Sequence, residues 1–317
     1  MSEQATGPVA GATDAVTSSA EVERSRVRGW GQRLVIAGPF AWLLLFFLVP
    51  FGIVFLVSLG SPQFGVPPYT PAIEWDGWWP SFVGSFDNYV FLTEDDLYWI
   101  AYLGSVQIAA GATMLCLLVA YPMAYIIARA KPRMRNLLLL LVILPFWTSS
   151  LLRIYALMGM LRQGGFINSG LMWLGVIDEP IQMMQTDFAV YLTIVFTYLP
   201  LMVLPLYSTL EKLDGSLLEA ASDLGANSFQ TFLTVTLPLS IPGIVAGCLL
   251  VFIPAVGEFV IPDLMGSQDS PMIGNVLWTE FTRNRDWPVA SAVAIAMLAL
   301  LVIPFMLLRN SSALKGQ

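Results

Sequence analysis

Six long apolar runs set what this 317-residue chain can become. They are Leu34–Leu59, Trp99–Ala128, Leu137–Leu161, Phe188–Leu210, Leu239–Ile261 and Val289–Leu308. Each covers about 20 residues or more, the length a helix needs to cross roughly 30 Å of hydrocarbon. The runs are continuous rather than alternating, which excludes a transmembrane β-barrel. A mean hydropathy of +0.71, with 56% hydrophobic and 12% charged residues, fits a lipid-embedded chain and not an ordinary soluble domain. The fold class expected is all-α: a polytopic membrane helical bundle with six transmembrane helices.

Orientation follows from the cations. Arg24, Arg26, Arg28 and Arg33 precede the first run; Arg129, Lys131, Arg133 and Arg135 separate the second and third. Lys212 follows the fourth, and Arg309 and Lys315 close the chain. With six spans, eleven of the fifteen Lys and Arg residues share one side, which is then cytoplasmic along with both termini. Residues 1–33 read as a disordered cytoplasmic tail, 34–310 as one permeating domain and 311–317 as a second short tail. The first run starts too late, and is too long, for a typical cleaved signal peptide.

Residues 60–98 form a long outer loop with no Lys or Arg before Tyr98, and with Glu74, Asp76, Asp87, Glu94, Asp95 and Asp96. Its Trp75, Trp78 and Trp79 suit a membrane surface. The net charge of −7 gives no reason to expect a nucleic-acid partner. Cys116 and Cys248 lie inside apolar runs and read as small core residues, and the absence of His excludes His-based catalysis and His metal sites. No GxxxxGK[ST] phosphate loop occurs, so no ATPase site is expected in this chain, and no paired Asp or Ser–Lys arrangement suggests an intramembrane enzyme.

Prolines 122, 145, 200, 205, 254 and 304 fall inside the runs. Each removes a backbone donor, and the freed carbonyls need neighbours or cavity water, which suits a bundle around a pathway as well as simple bending for packing. Gly243 and Gly247 are four apart, a spacing that permits close helix contact within the chain or with a second subunit.

The polar stretch "EAASDLGANSFQTFLTVTLP" (219–238) interrupts this pattern. Ser216 and Glu219 have capping-box spacing, Leu217, Leu218, Ala221 and Leu224 mark one helical face, and Gly225 suits a left-handed helix stop. Asn227 or Ser228 can cap a second short helix carrying Phe229, Phe232 and Leu233. The segment 211–237 therefore reads as helix, glycine break, helix on the cytoplasmic side. Its apolar face needs cover, from a soluble partner or from the bundle itself.

Glu219-Ala220-Ala221, then Gly225, then Val235-Thr236-Leu237-Pro238, resembles the EAA motif of ABC-importer permeases, with Val235 where that family carries Ile. The stretches "LPFWTSSLLRIYALMGML" (144–161), "PAVGEFVIPDLMG" (254–266) and "NRDWPVASAVAIAM" (284–297) resemble the polyamine permeases, most closely the putrescine type. The likeness runs from about Arg33 to Arg309. It implies a type I ABC-importer permease fold, in which Glu219, Ala220, Ala221, Gly225, Leu237 and Pro238 belong to coupling helices docked on a cytoplasmic ABC ATPase. It also implies that ATP and Mg are bound on that ATPase and not here, together with a second homologous permease subunit, a periplasmic polyamine-binding protein, and a bacterial inner-membrane location. Transport of putrescine or spermidine by alternating access is the function it suggests.

Three residues are candidates for a substrate path: Glu258, Asp263 and Trp147. A carboxylate inside a span is costly unless it meets partners or water, and polyamines are cations, so Glu258 can line the path; equally it can pair with Arg153 or cap a broken helix near Pro262. Asp263 is expected at the outer mouth. Trp147, with Thr148 and Ser149, can offer an aromatic face or serve packing. Arg153 is expected to snorkel at the outer end of the third run. Arg283, Arg285 and Asp286 read as solvated. A permease of the same architecture for another solute, or a self-sufficient secondary transporter whose 211–237 loop packs on its own bundle, are the rival readings.

Overall fold

A computed structural model describes residues 35–76, 78–267 and 271–310. The two tails (residues 1–33 and 311–317), with Arg24, Arg26, Arg28, Arg33 and Lys315, lie outside the described residues.

The apolar runs all become helix, but not all become simple spans. Helix α1 (Val35–Ser58) has an 18-residue window with mean hydropathy 2.7, none of it buried, so its side chains are offered to lipid or to another chain. At its outer end Asn88 donates to the carbonyls of Ser58 and Gly60, both at 2.8 Å, which pins helix α2 (Asp87–Glu94) beneath it. Between them the loop read from the sequence over residues 60–98 contains regular structure. It folds as an antiparallel hairpin of β1 (Ile73–Asp76) and β2 (Trp79–Phe82), with Ile73 opposite Phe82. Trp78 and Trp79 stand 94% and 81% exposed, as a surface-seeking pair requires; the side chain of Trp75 lies outside the described set.

Helix α3 (Asp96–Arg129) is the central post. Its N-cap, Asp95, accepts from the amide of Leu97 at 2.9 Å. Ala101, Ser105, Ala109, Ala112, Cys116, Ala120 and Ala124 form one buried stripe of small side chains. Small residues at this spacing let neighbouring helices approach closely, the main source of helix affinity where lipid removes the hydrophobic drive. Helices α7 (Asp187–Leu210) and α9 (Ser228–Val256) pack against it. Gly243 and Gly247 serve contact within this chain: a Cβ on Gly243 would lie 2.5 Å from Thr209 Oγ1, and one on Gly247 would lie 2.6 Å from Met202 Sδ, both on α7.

The third run is broken rather than one span. Helix α4 (Pro132–Trp147) and the helical stretch Ser150–Trp173, made of α5 (Ser150–Leu161) and α6 (Phe166–Trp173), meet at 93°. Pro145 cannot donate to the carbonyl of Leu141, and Thr148 then folds its hydroxyl back onto the carbonyl of Pro145 at 2.6 Å. Ser149, extended at φ −55° and ψ 134°, completes the corner.

The fifth run departs too. Helix α9 starts at Ser228, passes a π-helical turn at Phe232–Thr236, and stops at Val256, not Ile261. After a three-residue break the short helix α10 (Val260–Met265) follows. Helix α11 (Ile273–Thr279) lays Gly274 against that break, where a Cβ would sit 2.5 Å from the carbonyl oxygen of Glu258. Helix α12 (Trp287–Asn310) closes the bundle. Side-chain bonds tie these elements to the central post: Tyr102 donates to the carbonyl of Val293, and Ser105 accepts from the amide of Ile273, both at 2.7 Å. Among the described residues four helices are long and apolar enough to cross a bilayer, five if the bent third counts as one span; the described apolar part of α12 runs Trp287–Val302.

Candidate coupling segment and transport path

The segment after α7 forms helix α8 (Gly215–Asp223), a turn, and the first turns of α9. The cap of α8 is not the expected Ser216–Glu219 box. Asp214 is the N-cap, and its carboxylate accepts from the amide of Ser216 at 3.0 Å. That amide bond, with the Ser216 hydroxyl, holds the Asp214 carboxyl below its ordinary pKa. Glu219 is left exposed, with no hydrogen bond or ion pair among the described residues.

The stop is as the sequence suggests. Gly225 sits at φ +84°, in the left-handed region. The amide of Gly225 donates to the carbonyl of Ser222 at 2.9 Å and that of Ala226 to the carbonyl of Ala221 at 3.0 Å. This pair of bonds is a Schellman motif, which satisfies carbonyls that the helix end leaves open. Asn227 then caps α9 in a full capping box: its side chain accepts from the amide of Gln230 at 2.8 Å, and Gln230 Oε1 accepts from the amide of Asn227 at 3.0 Å. The second element is not a separate short helix. It runs on through Val235, Leu237 and Pro238 as the beginning of α9.

The apolar residues divide between two duties. Leu224 is 88% and Phe229 is 69% exposed, so they are not folded back onto the bundle. Phe232 instead packs edge-on against Tyr121 and Tyr125 of α3, with centroids 5.6 and 6.5 Å away. Arg129 covers Tyr125 at 4.4 Å, and Tyr121 shares a 2.9 Å hydrogen bond with Ser240 of α9. On the other flank Arg135 at the foot of α4 pairs with Glu211 at the end of α7, at 2.6 Å. Sequence reasoning placed Phe232 on the second helix of this segment but missed its partner Tyr121 and the Arg135–Glu211 pair. The trace of the aromatic contact was Phe232 itself, five residues past the Asn227 cap; the ion pair spans 76 positions without a local signal.

The path candidates are not brought into one cavity. Glu258 occupies the break between α9 and α10. Its Oε1 accepts from the amides of Val260 and Ile261 at 3.1 and 3.5 Å, and Oε2 accepts from Tyr198 Oη of α7 at 2.5 Å. The helix-capping alternative is thus the one realised; no Arg153–Glu258 ion pair occurs. Asp263, one turn into α10, faces an outer cleft of about 530 Å³ that also receives Asn275, Glu280 and Arg283. Arg283 lies 4.0 Å from Asp263. Trp147, at the corner of the third run, is 80% exposed, with no ring contact or hydrogen bond to Glu258 or Asp263 among the described residues. Arg153 does not snorkel: it is buried in α5 and donates to the carbonyl of Thr197 at 3.4 Å. Asp286 is more than a solvated charge, since it caps α12 by accepting from the amide of Val289 at 3.0 Å. Cys116 and Cys248 are free thiols in the core, as expected.

The long apolar helices thus carry, between α7 and the body of α9, a capped helical segment with exposed Leu224 and Phe229. The model of the family described as "Binding-protein-dependent transport system inner membrane component" matches residues 117–313, and the chain belongs to that family. Among curated proteins it is 42% identical to the spermidine/putrescine transport system permease protein PotB of Salmonella typhimurium strain SL1344 over 283 residues, 89% of this chain and 94% of that one. It is 47% identical to the PotB of Escherichia coli strain K12 over 232 residues, 73% of this chain and 84% of the other. Among solved structures, a bacterial ABC transporter involved in import of the acidic polysaccharide alginate superposes with a TM-score of 0.62 at 16% identity, covering 92% of this chain and 99% of that one. At that identity the likeness speaks for the fold alone.

Proposed function

We propose that this chain is one membrane-spanning subunit of an ATP-driven importer for polyamines, putrescine or spermidine. The observation that carries the coupling half of this reading is the exposed Leu224–Phe229 surface, presented on two capped helices beside an unpaired Glu219. A loop that served only its own bundle would turn those side chains inward. A cytoplasmic ATPase is the partner that fits, and it supplies ATP and Mg; this chain hydrolyses nothing itself. Six spans, with both termini and the coupling segment in the cytoplasm, accord with the cation distribution. The bare flank of α1 leaves room for a second permease subunit. A polyamine-binding protein outside would deliver ligand to the outer cleft.

The substrate class rests on the PotB relatives and on the sign of the candidate path. Asp263 and Glu280 line the outer cleft, and Glu258 marks the broken fifth span. The two carboxylates outnumber the one cation of the cleft, Arg283, where an anion route would have the balance reversed. In alternating access, closure of the ATPase moves α8, and α9 carries that displacement to the break at Glu258.

The test is uptake by the complete transporter, purified with its co-isolated partners and reconstituted in liposomes. ATP-dependent accumulation of labelled putrescine or spermidine is expected, with none in the absence of ATP. Purification of this chain as a lone particle that takes up polyamine without ATP would overturn the importer reading in favour of a secondary transporter. An active ATP-driven complex that ignores both polyamines would overturn the substrate class alone.

A further inference from the structure

One buried charge has no role in the path as drawn so far. Arg153 is 9% exposed within an apolar run, and its one hydrogen bond among the described residues reaches the carbonyl of Thr197 at 3.4 Å. Its Nε is buried without a partner, as is the hydroxyl of Thr197 beside it. The guanidinium lies 5.7 Å from the ring centroid of Phe146, which gives it an aromatic neighbour but no counter-charge. Among the described residues no carboxylate is within ion-pair distance of it. Removing a guanidinium from water is costly, and an apolar side chain of similar length would fill the space without that cost. Packing alone gives no reason for it.

What lies next to Arg153 does. Its acceptor, Thr197, is followed by Tyr198, whose hydroxyl donates to Glu258. A short chain of contacts therefore links the bent third run, through α7, to the broken fifth. The Glu258 carboxylate spends two acceptor positions of Oε1 on amides and one of Oε2 on Tyr198. A carboxylate has about four such positions, so one remains on Oε2 for an N–H from outside the chain.

We infer that Arg153 is a specificity-setting residue: its fixed positive charge limits how strongly Glu258 holds an arriving ammonium group. This rests on the polyamine reading above. A transport path must bind its cation well enough to admit it and weakly enough to let it go. A free carboxylate in a low-dielectric interior would hold a di- or tri-cation too firmly, because charges interact strongly there. Arg153 opposes that grip from behind Tyr198 while keeping out of hydrogen-bonding reach of the carboxylate. It is a positioning charge and does not touch the substrate.

The experiment uses the reconstituted transporter with its partner subunits. Initial ATP-dependent uptake of putrescine and of spermidine is measured over a concentration range for the wild type, R153Q, R153K, E258Q and R153Q/E258Q. A unit charge beyond ion-pair distance, on the order of 10 Å away at an effective dielectric near 20, is worth roughly tenfold in binding. R153Q should thus lower KM about tenfold and slow turnover as release becomes limiting. R153K, which keeps the charge, should stay close to wild type. E258Q should raise KM, and the effect of R153Q should vanish in that background. A purely structural Arg153 would instead lower the amount of assembled complex at constant KM, and that result overturns the inference. So does an R153Q effect of equal size with and without Glu258. If E258Q leaves KM unchanged, the placement of Glu258 on the path falls, and this inference with it; if E258Q raises KM while R153Q does nothing, only the inference falls. Should R153Q fail to assemble, R153M carries the same expectation.

Discussion

Glu219 and Asp214 divide two tasks that one capping box would have merged. Asp214 starts α8, and the side chain of Glu219, within that helix, takes no part in the cap. Glu219→Ala is therefore expected to leave α8 helicity unchanged while reducing ATP-coupled uptake, whereas Asp214→Ala loosens α8 itself. Amide exchange of residues 215–223 separates the two. The pH dependence has a definite sign. Asp214 has a lowered pKa in the folded chain, so its stabilisation is complete above the unfolded value and is lost as pH falls through the folded one. Exchange protection of α8 should be flat near neutrality and decline only in acid below the ordinary aspartate range. At Gly225 nothing lies within 4 Å of an added Cβ, so Gly225→Val acts through φ +84° alone, at a cost of about 1–2 kcal/mol. Uptake should drop sharply in that variant while the complex still assembles, because the turn angle is what changes.

Elements were legible where a local rule was complete, and obscure where it had to compete. The Gly225 stop and the Asn227 cap follow from residues within one turn, and both stand as read. The start of α8 was misplaced because Asp214 and Ser216 are both good caps, and the Ser-x-x-Glu spacing favoured the wrong one. The corner in the third run was illegible from its proline: Pro122, Pro200 and Pro205 sit inside helices that continue. Pro145 differs in having Thr148, whose hydroxyl folds back onto the Pro145 carbonyl, and an extended Ser149 after it to turn the chain. Glu258 was recognised as a costly intramembrane carboxylate, but its partner Tyr198 is 60 residues away, beyond any spacing rule. Two predictions belong to this scale. Phe232→Ala should loosen the α9–α3 contact by about 2 kcal/mol, below the full core value because the ring is only partly buried, and should be seen as a lowered thermal midpoint. Gly247→Val places a Cβ near Met202 Sδ and 3.2 Å from the Met202 carbonyl, and overpacking of this kind costs about 1–3 kcal/mol. A fall in the yield of folded complex, without a change in KM, is the expected reading.

The whole chain is built for company. Helix α1 has no buried residue in its apolar window, and the outward-facing Leu224 and Phe229 have no cover within the described residues. Produced without its partners, the chain should be short-lived in the membrane, and co-production of a second permease should lengthen its half-life, as measured by pulse-chase. Failure of any partner to extend that half-life would count against an assembled importer.

Helix α9 is one uninterrupted element of 29 residues, roughly 43 Å long, from the Asn227 cap to the break before Glu258. Its first turns carry the exposed Phe229 and its last residue, Val256, meets the break that holds Glu258, with no loop between them. For the proposed coupling, mechanical stiffness must be preserved along its length as well as its contacts with α3 and α7. A substitution that keeps the helix stiff and touches neither contact should be silent, and a compliant joint introduced halfway would uncouple ATP hydrolysis from uptake.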